Sequence, residues 1–269
     1  MTLLRAMARE VLYRKWVLSG YVGRNVPAHD APQAICIIQS YRPERMRNVA
    51  PLVRCLLKCD FIEKIIVSNN NPRLHIHDWV RLRDGRVTLV NQPVRRGCGY
   101  RWIIAGAEGA DYFIAIDDDC LLYPAQFAAL FRRLVERPEV PHGLAGLRRS
   151  RYVQRYEGEV DVLYNVFAVT RAHVAAYLTY VEEIVANEYA PHEAIEFWGD
   201  DVIMSQTGAA RARVHDVGRL SWCRTAFAPG VALHKEAQFE LRRNEVSRAL
   251  EMVKPRHQRD GRQRSAEVH

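Results

Sequence analysis

Residues 111–124, DYFIAIDDDCLLYP, set an apolar run against three consecutive carboxylates, Asp117, Asp118 and Asp119. Like charges this close repel, and one of them takes up a proton unless a cation lies among them. In an extended chain alternate side chains share a face, which puts Asp117 and Asp119 on one side and turns Asp118 to the other. Mg²⁺ or Mn²⁺ uses one or two protein carboxylates and fills its shell with water and substrate phosphate. A D-x-D at a strand end therefore suits a metal–diphosphate site. The plainer account is a solvated acidic turn or a helix cap, and the strand that precedes the triplet argues against it.

A second acidic pair, Asp200 and Asp201, stands in FWGDDVIMSQ, which reads as a loop feeding a short helix. Capping of that helix competes with a chemical role for the pair. Arginine is suited to phosphate because its planar fork binds two oxygens at once. The plainer account of any one arginine is a surface charge.

The elements that would position these groups alternate. AICIIQ (34–39), KIIVSNNNP (64–72), RVTLVNQP (86–93) and YFIAIDDD (112–119) read as four strands buried on both faces. SYRPERMRN reads as a polar loop, VAPLVRCLLKC as a helix, and PAQFAALFRRLVERP as a helix with proline in its first turn. Strand–helix–strand repetition implies a parallel sheet with right-handed crossovers, and ligands bind beyond the carboxyl ends of such strands. SYRPER, SNNNP and DDD all fall at those ends. Further on, residues 151–170 alternate enough for a pair of strands, RAHVAAYLTYVEEIVA is helical, and a closing helix spans about Glu236 to Val253.

The chain has 269 residues, 48% of them hydrophobic, and a formal net charge of +8. That allows one large domain and favours an anionic partner. The six cysteines form no CxxC pair and show no zinc-finger spacing, so they read as buried free thiols in a reducing cytoplasm. No apolar stretch reaches the length of a membrane span. In residues 1–29, a helical extension, Leu4, Met7, Val11 and Leu18 fall on one stripe beside Arg5, Arg9, Arg14 and Lys15. Docking of that stripe on the domain's own core is the simplest expectation, and peripheral contact with the inner face of a membrane the sharper one. Residues 30–235 form the main domain, and 236–269 a closing helix with a basic tail expected to be disordered.

AICIIQSYRPERM, IIVSNNNP, RRGCGYRWIIAGAEGADYFIAIDDD and FWGDDV, in that order and spacing, resemble nucleotide-sugar-dependent glycosyltransferases of the GT-A fold. The likeness lies between the large family-2-type enzymes and the exostosin-like group, and SNNNP leans toward the latter. It implies an α/β, GT-A-like fold, with a mostly parallel central sheet flanked by helices, a Rossmann-like nucleotide half and an acceptor half. It also implies roles. Tyr41 and Arg42 would hold base and ribose, Asn70 a uracil-type base, and Arg96 and Arg101 the donor. Asp117 would face ribose or sugar, with Asp118 beside it in the nucleotide set. Asp119 would bind Mn²⁺ or Mg²⁺, and His234 would complete the metal shell. Asp201 would be the base, with Asp200 replacing the Glu of an ED-like pair.

The implied reaction moves a sugar from a UDP-sugar to a hydroxyl on a glycan or lipid-linked acceptor, with inversion. In exostosin-like chemistry Asp201 would instead orient the acceptor or stabilise the cationic sugar. Three other classes fit less well. A haloacid-dehalogenase-like phosphatase would use Asp117 and Asp119, but its motif belongs on the first strand, and Leu121 stands where Thr or Val is usual. A sugar-nucleotide pyrophosphorylase needs a Gly-rich loop after its first strand, and QSYRPERM has no glycine. A non-catalytic nucleic-acid-binding protein would gather its basic residues into a stripe, whereas here they are scattered and three aspartates would repel phosphate.

Overall fold

The computed structural model describes residues 3–27, 32–226, 228, 230–231 and 235–266, with side chains of the first and last helices described from residue 7 and up to residue 254. β1 (Ala34–Ser40) is buried along its whole length. Its period of two divides it between two cores: Cys36 and Ile38 face one, Ile35 and Ile37 the other. β2 (Ile62–Asn69), β3 (Val87–Asn91) and β4 (Tyr112–Asp117) lie beside it in the order β3–β2–β1–β4, all parallel. Helices cover both faces, as the apolar runs require. α2 (Pro43–Met46) and α3 (Val49–Leu57) follow β1, and α4 (Tyr100–Ala107) precedes β4. The expected loop at 40–48 thus contains one helical turn: Pro43 occupies its first turn, and Met46 is drawn fully into the core.

After β4 come β5 (Cys120–Leu121) and α5 (Pro124–Glu136), then β6 (His142–Arg148), β7 (Arg151–Gln154), β8 (Gly158–Glu159) and β9 (Val162–Thr170). The main sheet continues β4–β9–β6–β10–β8 with β7 against β6, where β10 is Arg213–Val214. β9 runs antiparallel to both neighbours, and β5 pairs separately with β11 (Ser221–Trp222). β6 has no alternating pattern to announce it, because HGLAG is buried throughout. The architecture is a central sheet flanked by helices, with the parallel half at the N-terminal side.

α6 (Arg171–Ala186), α7 (His192–Ala194), a π-turn at Ile195–Gly199 and α8 (Asp200–Met204) pack on one face. The last helix, α9 (Phe239–Ala266), buries Val246, Ala249, Leu250 and Val253 in the same core. It continues past Val253 into the basic tail, where disorder was expected. That stretch includes Pro255 and Gly261, the poorest helix formers, so the packed residues up to Val253, and not the propensity of the tail, anchor the helix. α1 (Leu3–Val22) docks on α3, but not by the expected stripe. Trp16 is 1% exposed and its indole N–H donates to the Leu122 carbonyl at 2.8 Å, whereas Met7, Val11 and Leu18 face outward. An indole buries more apolar surface than any of the three and has a polar edge that finds a partner. Among the described residues no helix is long and apolar enough to cross a membrane.

Candidate active site

Because β1, β2 and β4 run in one direction, their carboxyl ends open on one edge. A cleft of about 500 Å³ lies there. Tyr41, Arg42, Asn70, Arg96, Arg101, Asp117, Asp118, Asp119, Asp200 and Asp201 all line it, so the structure brings together every described residue picked out for the site. His234 lies outside the described residues.

The acidic corner departs from simple alternation. The strand ends at Asp117 and Asp118–Asp119 form a turn, so all three carboxylates border the cleft. Asp118 does not turn away as expected. Its carboxylate accepts from Ser40 Oγ at 2.6 Å, and Asn48 Nδ2 donates to its carbonyl at 2.8 Å. Asp117 accepts from Arg101 Nη2 at 2.8 Å and from Asn165 Nδ2 at 3.1 Å. Asn165 sits where β9 carries an extra residue relative to β6, with φ of 64°, a left-handed conformation that asparagine tolerates. That bulge aims its amide at Asp117.

Asp119 pairs with Arg45, whose Nη1 stands 2.9 Å from Oδ2 and 3.6 Å from Asp118 Oδ1. Arg45 also donates to the carbonyls of Thr225 and Ala226, tying the corner to the turn after β11. The other oxygen of Asp119, Oδ1, is buried and accepts no hydrogen bond from the described residues. Burial raises the pKa of Asp119 and pushes Asp118 up to about 6, against the pull of Arg45 on both. Asp119 borders the cleft, and a carboxylate there suits one divalent cation shared with a diphosphate. Such an ion needs few protein ligands. Among the described residues no group of three His, Cys, Asp or Glu forms a complete cage, and Asp119 is the described carboxylate that would hold the ion.

Arg101 connects the acidic triplet to the Asp200–Asp201 pair. It is 2% exposed, and its Nε lies 3.6 Å from Asp200 Oδ2 while Nη2 holds Asp117. Burial raises the pKa of Asp200, opposed by Arg101 and reinforced by Asp201. Asp201 is gripped from α9: Arg243 Nη2 meets Oδ2 at 3.0 Å and Nε meets Oδ1 at 3.4 Å. The Val202 amide donates to Oδ1 at 2.7 Å. Asp200 and Asp201 lie in the first turn of α8, whose N-cap is Gly199 and carries no side-chain cap bond, so capping does not explain the pair.

The opposite wall is basic and aromatic. The guanidiniums of Arg42 and Arg95 both lie over the Tyr41 ring, 5.4 and 5.3 Å from its centroid, and Arg95 also lies 4.8 Å from the Phe197 ring. Asn70 spends its amide internally: Nδ2 donates to the Gly97 carbonyl at 3.1 Å and Oδ1 accepts from Ser68 at 2.8 Å. It holds the 95–99 segment in place at the cleft floor. Gly97 is needed there, since a Cβ would lie 2.3 Å from the Glu196 carbonyl oxygen. Arg45, Asn165 and Arg243 were missed in the sequence. Arg45 stood in plain view two residues after Pro43, but nothing local marks the other two.

No family model matches the chain, and no curated protein matches it. Among solved structures, GalNAc-T7 with UDP, GalNAc and Mn²⁺ is similar over 71% of this chain, at 12% identity and a TM-score of 0.49. CMP:2-keto-3-deoxy-manno-octonic acid synthetase complexed with CTP is similar over 55%, at 13% identity and a TM-score of 0.40. This chain spans 43% of the length of the first and 78% of the second. At these values neither likeness carries a residue's role from that protein to this one.

Proposed function

We propose that the protein is a metal-dependent glycosyltransferase that moves a sugar from a nucleotide diphosphate sugar, a UDP-sugar, to a hydroxyl on a glycan or glycolipid acceptor. The observation that carries this reading is the convergence, at the ends of parallel strands, of a cluster of largely buried carboxylates and a wall of arginines. Cleaving the sugar–diphosphate bond builds negative charge on the leaving group. Mn²⁺ or Mg²⁺ on Asp119 would supply Lewis-acid neutralisation of that charge. Arg42, Arg95 and Arg96 bind and orient phosphate oxygens, and the Tyr41 ring steadies the first two through cation–π contact. Asp117, fixed by Arg101 and Asn165, positions ribose or sugar.

Asp201 is the candidate proton acceptor for the acceptor hydroxyl. A second reading has its own support. Both oxygens of Asp201 already accept hydrogen bonds, two of them from Arg243, so a fixed negative charge that orients the acceptor or steadies an oxocarbenium-like sugar needs no rearrangement. The anomeric configuration of the product, read by NMR, separates the two: inversion supports the base, and retention supports the charge.

The test of the main reading is thermal unfolding with a set of nucleotides and nucleotide sugars, with and without Mn²⁺. UDP is expected to raise Tm strongly only with the metal, and Asp119→Ala to lose that dependence while staying folded. No nucleotide shift, or an undiminished metal-dependent shift in Asp119→Ala, would overturn it.

A further inference from the structure

α1 is mounted by one face and presents the other. Trp16 is buried against the segment that leaves the acidic corner, and a Cβ at Gly20 would lie 2.9 Å from Arg54 Cβ, so α1 and α3 are in close contact. At about 100° per residue, Met7, Val11, Leu18 and Val22 fall within about 60° of one another, opposite Trp16. They are 58, 65, 58 and 80% exposed. Basic residues border this stripe. Lys15 lies along one side and Arg14 along the other, Arg24 follows the helix, and the Arg54 guanidinium stacks 4.5 Å over the Tyr21 ring at its edge. The carboxylate on the exposed side of α1, Glu10, is paired with Arg14 at 3.1 Å.

We propose that this outward face of α1 docks on an anionic lipid bilayer and lies in the plane of its interface. A surface helix with an apolar stripe flanked by cations partitions there, because the apolar side chains enter the acyl boundary while the basic rim meets lipid phosphates. The same charges disfavour a second copy of the chain. A two-fold contact through this stripe would set the Arg14, Lys15 and Arg54 groups of both copies against each other. Docking would hold the cleft beside a membrane, and on the transferase reading that makes a lipid-linked acceptor the accessible one. The docking itself rests on α1 and stands apart from that reading.

The test is co-sedimentation of the full chain with phosphatidylcholine vesicles, with and without phosphatidylglycerol. Binding is expected on the anionic vesicles alone, and is expected to fall steeply as salt shortens the screening length. Val11→Glu/Leu18→Glu should lose about a hundredfold or more in partitioning, at about tenfold per apolar contact replaced by a carboxylate. Arg14→Gln/Lys15→Gln keeps the stripe and should lose about twenty-five-fold, at about fivefold per charge. Circular dichroism and Tm should match the parent in both. A parent protein that stays in the supernatant with anionic vesicles, or a Val11/Leu18 variant that sediments as the parent does, overturns the proposal. So does a parent dimer in velocity sedimentation that the same variant dissociates, since the stripe would then be a self-association face.

Discussion

Arg101→Met is the perturbation that most directly tests how the acidic corner is held. The side chain keeps its bulk and loses its charge, and two carboxylates lose their partner. At an effective dielectric of about 20, a charge pair 2.8–3.6 Å apart has a gross attraction of about 5 kcal/mol. Desolvation offsets most of that, and breaking a buried pair costs about 3–5 kcal/mol because a bare charge remains. Asp117 is 26% exposed and can draw on cleft water, whereas Asp200 is 9% exposed, so most of the penalty falls on Asp200. Asp200 already has a pKa raised by burial, and removing Arg101 removes the main opposing effect. A carboxyl with a raised folded-state pKa is protonated in the native state while the unfolded chain has ionised. Stability is therefore retained at low pH and lost as pH rises. Urea unfolding of the variant should show a loss of about 3–5 kcal/mol near pH 8 and about half of that near pH 5. Adding Asp200→Asn should recover about 2 kcal/mol or more near pH 8, because the stranded charge is gone. A loss below about 1 kcal/mol, a loss independent of pH, or no recovery in the double variant would refute this account of the corner.

Three further outcomes follow from other contacts. Asp201→Asn should slow sugar transfer by about 10²–10⁴-fold while the Kd for UDP changes little; equal losses in both would make Asp201 structural. His142 is buried, with Nε2 on the Arg137 carbonyl and Nδ1 2.8 Å from His215 Nε2, while His215 Nδ1 meets Glu157 at 2.7 Å. Burial lowers His142 to about 4 from 6.5, so the unfolded chain binds its proton first as pH falls. Parent stability relative to His142→Gln should drop by about 3 kcal/mol between about pH 6.5 and about pH 4, and a flat difference across that window would contradict the burial argument. Trp16→Ala should cost about 3–5 kcal/mol in urea unfolding and increase protease cleavage within α1, whereas an unchanged unfolding midpoint would mean that α1 is not held by its indole.

Much of this molecule is legible along the chain, and the reason is locality. Runs such as AICIIQ and YFIAID are apolar at every position because both faces of a parallel strand are covered, and each run stops where polar residues begin. The four parallel strands and the edge at which the cleft opens follow from that. What the sequence leaves open is whatever depends on partners distant along the chain. Period two wrongly turned Asp118 away, because the chain leaves the strand at Asp117, two residues before the run ends. The stripe on α1 was assigned inward because periodicity marks an apolar face without saying whether anything covers it; the indole of Trp16 made that choice. Arg243 reaches Asp201 across 42 residues, and Asn165 reaches Asp117 across 48 through a bulge. Neither pairing has a local signature, since like charges are reconciled only when the folded sheet and α9 bring cations to them. Composition and pattern determine that carboxylates gather at a strand edge, and tertiary structure decides which cation answers each one.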